Sequence, residues 1–395
     1  MKGSRIALAL ATSGALLLAA CQSTASPSSE AASEEPSASQ GSSAPASAEA
    51  EPATVRLQLQ WAQQAQFAGY YAAAEQGYYE EENLTVEFLP GGGDVVPQQV
   101  GSAPDGPEFT IAWVPKVLQA REAGSDLVQI AQVFQRSATL AVSWKSSGIE
   151  TPEDWVGKKI GAWPFGNELE VIATATLAGL TAGEDYTRVE QDFDMSELEA
   201  AYDGCGADDS DCVDVAEAMI YNEYAQLLEK ENPETGELFQ PEDLNVLDYN
   251  EHGTAMLQDA LWARASWLAE DGNEDVTIRF LRASFRGWIY CRENPDDCVQ
   301  YSLDQGSLWP AGHLAWMMNE VNSLVWPSPE GIGVLDQDAY AQTIETATAG
   351  EILTADPSDD AIRTDLVEAA LEGIDDDVTG EDWEKPVVEV TPGGE

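Results

Sequence analysis

Trp61-Ala-Gln-Gln-Ala-Gln-Phe-Ala-Gly-Tyr-Tyr-Ala-Ala-Ala-Glu-Gln-Gly-Tyr-Tyr79 is the stretch on which the fold of this 395-residue chain turns. Val55-Arg-Leu-Gln-Leu-Gln60 precedes it and predicts a strand that ends in a polar loop. Phe67, Tyr70, Tyr71 and Ala74 then fall at the spacing of one buried helical face, and Gly77 is placed to end that helix. Strand, loop and helix in this order form the opening of an open α/β sheet, where ligands meet the carboxyl ends of strands. The junction carries an aromatic ring, Trp61, followed by the amides Gln63, Gln64 and Gln66, groups able to hold a flat polar ring.

The same alternation continues. Strands are predicted over 84–89, 109–113 and 127–134, with helices from Val95 and Pro115 between them, the pattern of parallel βαβ units. A run over 139–144 leads out of this first lobe. A second lobe follows with strands over 159–163, 187–191, 213–219 and 245–249 and helices from Asn167 and over 196–202. Helical pattern returns over 254–269, 276–290, 314–321 and 338–346. About 320 residues outside the chain ends are too many for one ordinary core, so two lobes are expected.

The ends have other roles. Lys2 and Arg5, the apolar stretch 6–18 and Leu18-Ala-Ala-Cys21 read as a secretion signal. A small-residue site ending in cysteine resembles the bacterial lipobox, which implies acylation of Cys21 and anchoring to the outer face of the cytoplasmic membrane. Residues 22–53 are mostly Ser, Ala, Pro and Glu and predict a disordered tether with a reach of about 30 Å. Residues 374–395 predict a second disordered segment, an acidic tail.

Seventy-one acidic against 18 basic residues give a net charge of −53. Such a body repels nucleic acid and anionic lipid, and neither is expected as a partner. The acid is spread along the whole chain, which favours a solvated surface suited to high salt over a cation-binding protein. Cys205-x6-Cys212 and Cys291-x6-Cys298 are expected to oxidise in pairs outside the cell, each stabilising its loop by about 2–3 kcal/mol. The spacing does not match a zinc finger and the chain has 2 histidines, so no metal is expected.

Several short blocks, in order, extend the opening motif: Pro90-Gly-Gly-Gly-Asp94, Ile149-Glu-Thr-Pro-Glu-Asp-Trp155, Gly157-Lys-Lys-Ile-Gly161, Gly166-Asn-Glu168, Ala218-Met-Ile-Tyr-Asn-Glu-Tyr224, Leu257-Gln-Asp-Ala-Leu-Trp-Ala-Arg264 and Gly287-Trp-Ile-Tyr-Cys291. Together with 61–79 they resemble the thiamine-pyrimidine-precursor-binding, SsuA-type substrate-binding lipoproteins of ABC importers. The resemblance implies an α/β, two-lobed, periplasmic-binding-protein-like fold of type II with a hinge between lobes. It divides the chain into lobe 1 (54–142 and 250–373) and lobe 2 (143–249), with crossings near 140–150 and 246–256. It also implies a monomer that uses no cofactor and delivers a small planar heterocycle, a thiamine pyrimidine precursor or riboflavin, to an ABC permease.

Candidate ligand contacts follow from position. Trp61 and Trp113 end predicted strands and can wall a flat ligand, or belong to the core. Gln66 and Tyr70 open the first helix, where amide and phenol can pair ring heteroatoms, although Tyr70 shares a face with Phe67. Glu168 follows a strand in a block, Asn167-x-x-Glu170, that resembles a capping box, and it either meets a ring amine or complements the helix dipole. Asn222 and Glu223 bring a donor, an acceptor and a charge to a strand end; Asp259 faces cleft or solvent. Pro90-Gly-Gly-Gly-Asp94 lacks the Lys and Ser/Thr of a phosphate loop and reads as a tight turn, with Asp94 capping the next helix. No catalytic residues are expected: His252 and His313 are remote, and the cysteine-rich motif of the pyrimidine synthases of this superfamily is missing. A secreted enzyme of that synthase type is the alternative.

Overall fold

The computed structural model describes residues 50–206 and 209–395; the leader, Cys21 and positions 22–49 of the expected tether lie outside them. Ten strands are found among the described residues: β1 (Ala53–Gln58), β2 (Leu84–Leu89), β3 (Phe109–Ala112), β4 (Leu127–Gln132), β5 (Thr139–Trp144), β6 (Lys159–Ala162), β7 (Thr187–Glu190), β8 (Ala216–Met219), β9 (Leu244–Asp248) and β10 (Ala260–Arg264). The first sheet has the order β2-β1-β3-β10-β4. In it β1 runs parallel to β2 and β3, as the strand–helix alternation predicts, while β10 enters antiparallel between β3 and β4. In the second sheet β5 lies between β8 and β9, antiparallel to both, and β6 pairs parallel with β7. A single bridge from Ile160 to Val215 joins β6 to the residues leading into β8. The fold is α/β and periplasmic-binding-protein-like.

The opening motif folds through a 3-10 turn, Ala65–Phe67, into the helix Ala68–Glu75. Its buried side lies on the long helix Asn273–Glu293, and the contact depends on two glycines. A Cβ on Gly287 would fall 2.0 Å from the Gly69 carbonyl oxygen, so only hydrogen permits that approach. Gly77 takes a left-handed φ of 76° and turns the chain towards β2. Both cysteine pairs are disulfides, with Cα atoms 5.8 Å and 5.6 Å apart. No described helix is long and apolar enough to cross a membrane.

Several local expectations are corrected. The segment 254–269 contains the strand β10, not a continuous helix. All five residues of β10 are buried, and sheet pairing on both edges overrode the helical pattern. The 374–395 segment is not free: Val378 and Trp383 pack on the core, Ile332 N–H donates to the Val378 carbonyl (2.8 Å), and Arg292 binds Asp377. Apolar residues among the acids supply that adhesion. Val96, not Asp94, caps the short helix Pro97–Ser102. The helix Leu169–Leu177 starts after Glu168, so Asn167 and Glu170 form no capping box. The expected lobe division at 142/143 falls inside β5, which pairs with β8 and β9.

Candidate ligand-binding site

Strand ends of the two sheets face one another across a cavity of about 380 Å³. Gln60 and Trp61 leave the end of β1, and Gln64 and Gln66 stand in the following turn. Trp113 leaves β3. From the small β6-β7 sheet come Trp163 after β6 and Phe193 after β7, and from the second sheet Met219, Tyr221, Asn222 and Glu223 at the end of β8. Phe193 lies against both indoles of the mouth, 4.5 Å from the Trp61 ring centre and 5.7 Å from that of Trp163. Gly91 permits the adjoining loop to close on β1, because a Cβ there would sit 2.8 Å from Trp61 N. That loop and the residues after β7 form an outer vestibule, lined by Gly93, Asp94, Glu190, Asp192 and the Lys116 side chain.

Beneath the aromatic walls runs a buried polar chain. Gln64 Nε2 donates to Gln66 Oε1 (2.7 Å), and Gln66 Nε2 donates to Asp259 Oδ2 (2.8 Å). The other oxygen, Oδ1, accepts Trp113 Nε1–H at 3.0 Å. Burial pushes the Asp259 carboxyl up to about 6, against the pull of these donors and of Lys116. Lys116, itself buried and pushed down to about 7, holds Asn167 Oδ1 and lies 4.4 Å from the Trp113 ring centre. At the opposite wall Glu223 Oε2 accepts the Met219 N–H (3.0 Å) and Oε1 accepts Asn222 Nδ2–H (2.6 Å). Burial raises Glu223 to about 7. Gln60 Oε1, buried beside the cavity, has no partner among the described residues. Aromatic faces with a few convergent donors and acceptors suit a flat molecule with polar edges.

The family described as NMT1/THI5 like matches residues 64–298, which contain every lining residue except Gln60 and Trp61. The chain belongs to the NMT1/THI5-like family. Among curated members it is 26% identical over 250 residues to the formylaminopyrimidine-binding protein of Halalkalibacterium halodurans, covering 63% of this chain and 70% of that protein. It is 26% identical over 309 residues to the riboflavin-binding protein RibY of Chloroflexus aurantiacus, covering 76% and 82%. A sulfonate-binding SsuA protein from Methylobacillus flagellatus superposes with a TM-score of 0.57 at 15% identity, over 82% of this chain and 95% of its own. The desulfurization enzyme DSZB superposes at 0.52 and 12% identity, over 80% and 99%. At these identities the superpositions establish the fold alone. They agree with the SsuA-type resemblance carried by the opening motif.

Within this NMT1/THI5-like chain, five expected contacts come together: Trp61, Gln66, Trp113, Asn222 and Glu223 all line the cavity. Tyr70 does not. It is buried in the core edge-on to Trp288 (5.6 Å), because its helical position faces the Asn273–Glu293 helix. Glu168 is also absent from the wall; its carboxylate turns back to Gly166 N–H (2.8 Å) and towards Arg188 (3.4 Å). Asp259 faces neither cleft nor solvent and is buried under the wall. Trp163 and Phe193 were missed, although Trp163 ends a strand as Trp61 and Trp113 do and the same rule would have found it. Nothing local to the sequence marks Phe193, Lys116 or Asp259 as neighbours of the cavity. Among the described residues no cluster of three or more metal-ligating side chains occurs.

Proposed function

We propose that this protein is the extracytoplasmic substrate-binding component of an ABC importer, tethered by a lipid on Cys21, and that its cargo is a small planar nitrogen heterocycle. One observation carries the reading: a cavity of about 380 Å³ between the strand ends of two sheets, walled by Trp61, Trp113 and Trp163 and edged by Gln66, Asn222 and Glu223. Its size falls in the range of small-molecule sites, about 300–1,000 Å³. Ring stacking supplies affinity and the buried polar groups supply discrimination, since a ligand that leaves one unpaired is penalised. The two curated relatives named for a pyrimidine and for riboflavin support a heterocycle. The lobes divide near the two chain crossings, lobe 1 as 54–142 with 250–373 and lobe 2 as 143–249, except that the whole of β5 goes with its partners β8 and β9 in lobe 2. They close on the ligand by rotation, and the closed monomer docks on its membrane permease. No catalytic residue is assigned.

A thermal-shift panel of purified protein against aminopyrimidines, riboflavin, alkanesulfonates and amino acids tests this. Ligand at about 100 times its dissociation constant adds about 2.7 kcal/mol of stability. A shift with a heterocycle and none with sulfonates is expected; selective stabilisation by a sulfonate, or turnover of the heterocycle, refutes the reading.

A further inference from the structure

Behind Asn222 stands a group that the cavity does not touch. His313, in the first turn of the helix Ala311–Val325, is fully buried. Its Nε2 lies 2.9 Å from Asn222 Oδ1 and its Nδ1 lies 2.8 Å from Glu229 Oε1. Trp309 stacks on the imidazole, with ring centres 4.3 Å apart at 20°. The C-terminal segment seals this place: Gly393 N–H donates to the Glu229 carbonyl, and a Cβ on Gly394 would sit 2.7 Å from His313 Cβ.

Counting donors and acceptors along the chain fixes the protons. Asn222 donates through Nδ2 to Glu223 Oε1, so its Oδ1 must accept, and His313 Nε2 must carry hydrogen. On the other side Nδ1 meets a carboxylate oxygen, which also accepts, so Nδ1 must carry hydrogen as well. Both ring nitrogens donate in the imidazolium alone. The helix start opposes a cation there, but a carboxylate in direct contact and an indole face both favour one. Tyr221, coupled to both Asp259 and Glu223, bears no positive charge, and neither does Glu395, whose backbone oxygen lies beside Gly312 at the helix start.

We propose that His313 is an imidazolium held between Asn222 and Glu229, and that it is the positioning residue keeping Glu223 an ionised, acceptor-only edge of the cavity. The cargo edge that meets Glu223 therefore consists of hydrogen-bond donors, such as ring N–H or exocyclic amine. This rests on the binding-protein reading only for the cargo. A neutral His313 would reverse the Asn222 amide and place on Glu223 a proton that donates to Asn222 Oδ1, leaving an uncharged carboxyl at the wall.

The histidine itself can be observed without any ligand. His252 is exposed, so in a His252→Gln protein the 15N resonances of the remaining histidine belong to His313. Both ring nitrogens should carry hydrogen. One protonated and one bare nitrogen overturns the proposal. For the cargo, calorimetry with formylaminopyrimidine in two buffers of different ionisation enthalpy measures protons exchanged on binding. The parent protein should exchange almost none at pH 8, above the value of about 7 to which burial raises Glu223. His313→Gln, which keeps one donor and removes the charge, should bind about tenfold more weakly and release a proton. Unchanged affinity without proton release refutes the role of His313. Failure of the parent to bind the probe counts against the cargo, while the NMR result still decides the charge.

Discussion

Replacing Asp259 by Asn tests whether the buried chain under the cavity sets the polarity of the wall. Trp113 Nε1 can only donate, so the new Asn oxygen must face it and the new amide nitrogen must face Gln66. Gln66 then turns its oxygen towards residue 259 and its nitrogen towards Gln64, and Gln64 turns in response. Every buried group keeps a partner, so the stability change should stay within about 1 kcal/mol. The end of Gln64 that faces away from Gln66, however, changes from carbonyl oxygen to amide nitrogen. A ligand donor that met the oxygen now meets another donor, which costs about 1–3 kcal/mol, or roughly 5- to 150-fold in affinity. Asp259→Ala is the control, since it orphans two donors and should cost about 1–3 kcal/mol of stability for each. Urea melts and calorimetric titration of the two variants separate the cases. If Asn destabilises as much as Ala while affinity holds, the flipped-amide reasoning is wrong. Protonation of the native carboxyl should mimic Asn. The folded value of about 6 lies above the ordinary 3.8, so the folded protein takes up the proton first. Stability from this group then rises by about 3 kcal/mol as pH falls from about 6 to 4, while ligand affinity falls over the same window.

Trp61→Ala should weaken binding of the best heterocycle by about 1–3 kcal/mol and leave the fold intact, because the ring is only half-buried at a cavity mouth; a large stability loss with unchanged affinity, measured by melts and titration, would return Trp61 to the core. Peptide mapping without reduction should find Cys205 linked to Cys212 and Cys291 to Cys298, and reducing either bridge should lower stability by about 2–3 kcal/mol; free thiols in secreted protein contradict this. Cys21→Ser should abolish lipid modification of the product, and the same lipidated mass in that variant would exclude Cys21 as the anchor.

What could be read in the sequence was what is local. Strand 84–89 was placed to the residue, because a short run of alternating apolar side chains bounded by polar residues favours a strand over a helix. Trp61, Trp113 and Asn222 were found by one rule, that side chains just past a strand end reach the cleft. Tyr70 failed the same kind of reasoning because Gln66 stands in the 3-10 turn ahead of the helix, whereas Tyr70 lies inside the helix on the side that packs on the Asn273–Glu293 helix. β10 failed because a strand buried on both faces has no period to detect. Asp259 and His313 could not be assigned at all: their partners Gln66 and Asn222 are 193 and 91 residues away in sequence, and only the fold brings them together.

The acidic composition also acquires a second meaning at the cavity. Most carboxylates of this chain are solvated, and their charge says nothing about cargo. Asp259 and Glu223 differ, because each is buried, each is raised by desolvation, and each accepts two hydrogen bonds from the protein. A carboxylate so placed is costly unless donors surround it. The protein supplies those donors on the inner side only. On the ligand side the remaining lone pairs of Glu223 need donors from the cargo, and stacked indoles need a flat face. A heterocycle rimmed with N–H groups meets both needs, whereas an alkanesulfonate, an anion without a planar ring, meets neither. On the proposed function, a fold shared with a protein named for sulfonate binding is lined here for a neutral or cationic ring.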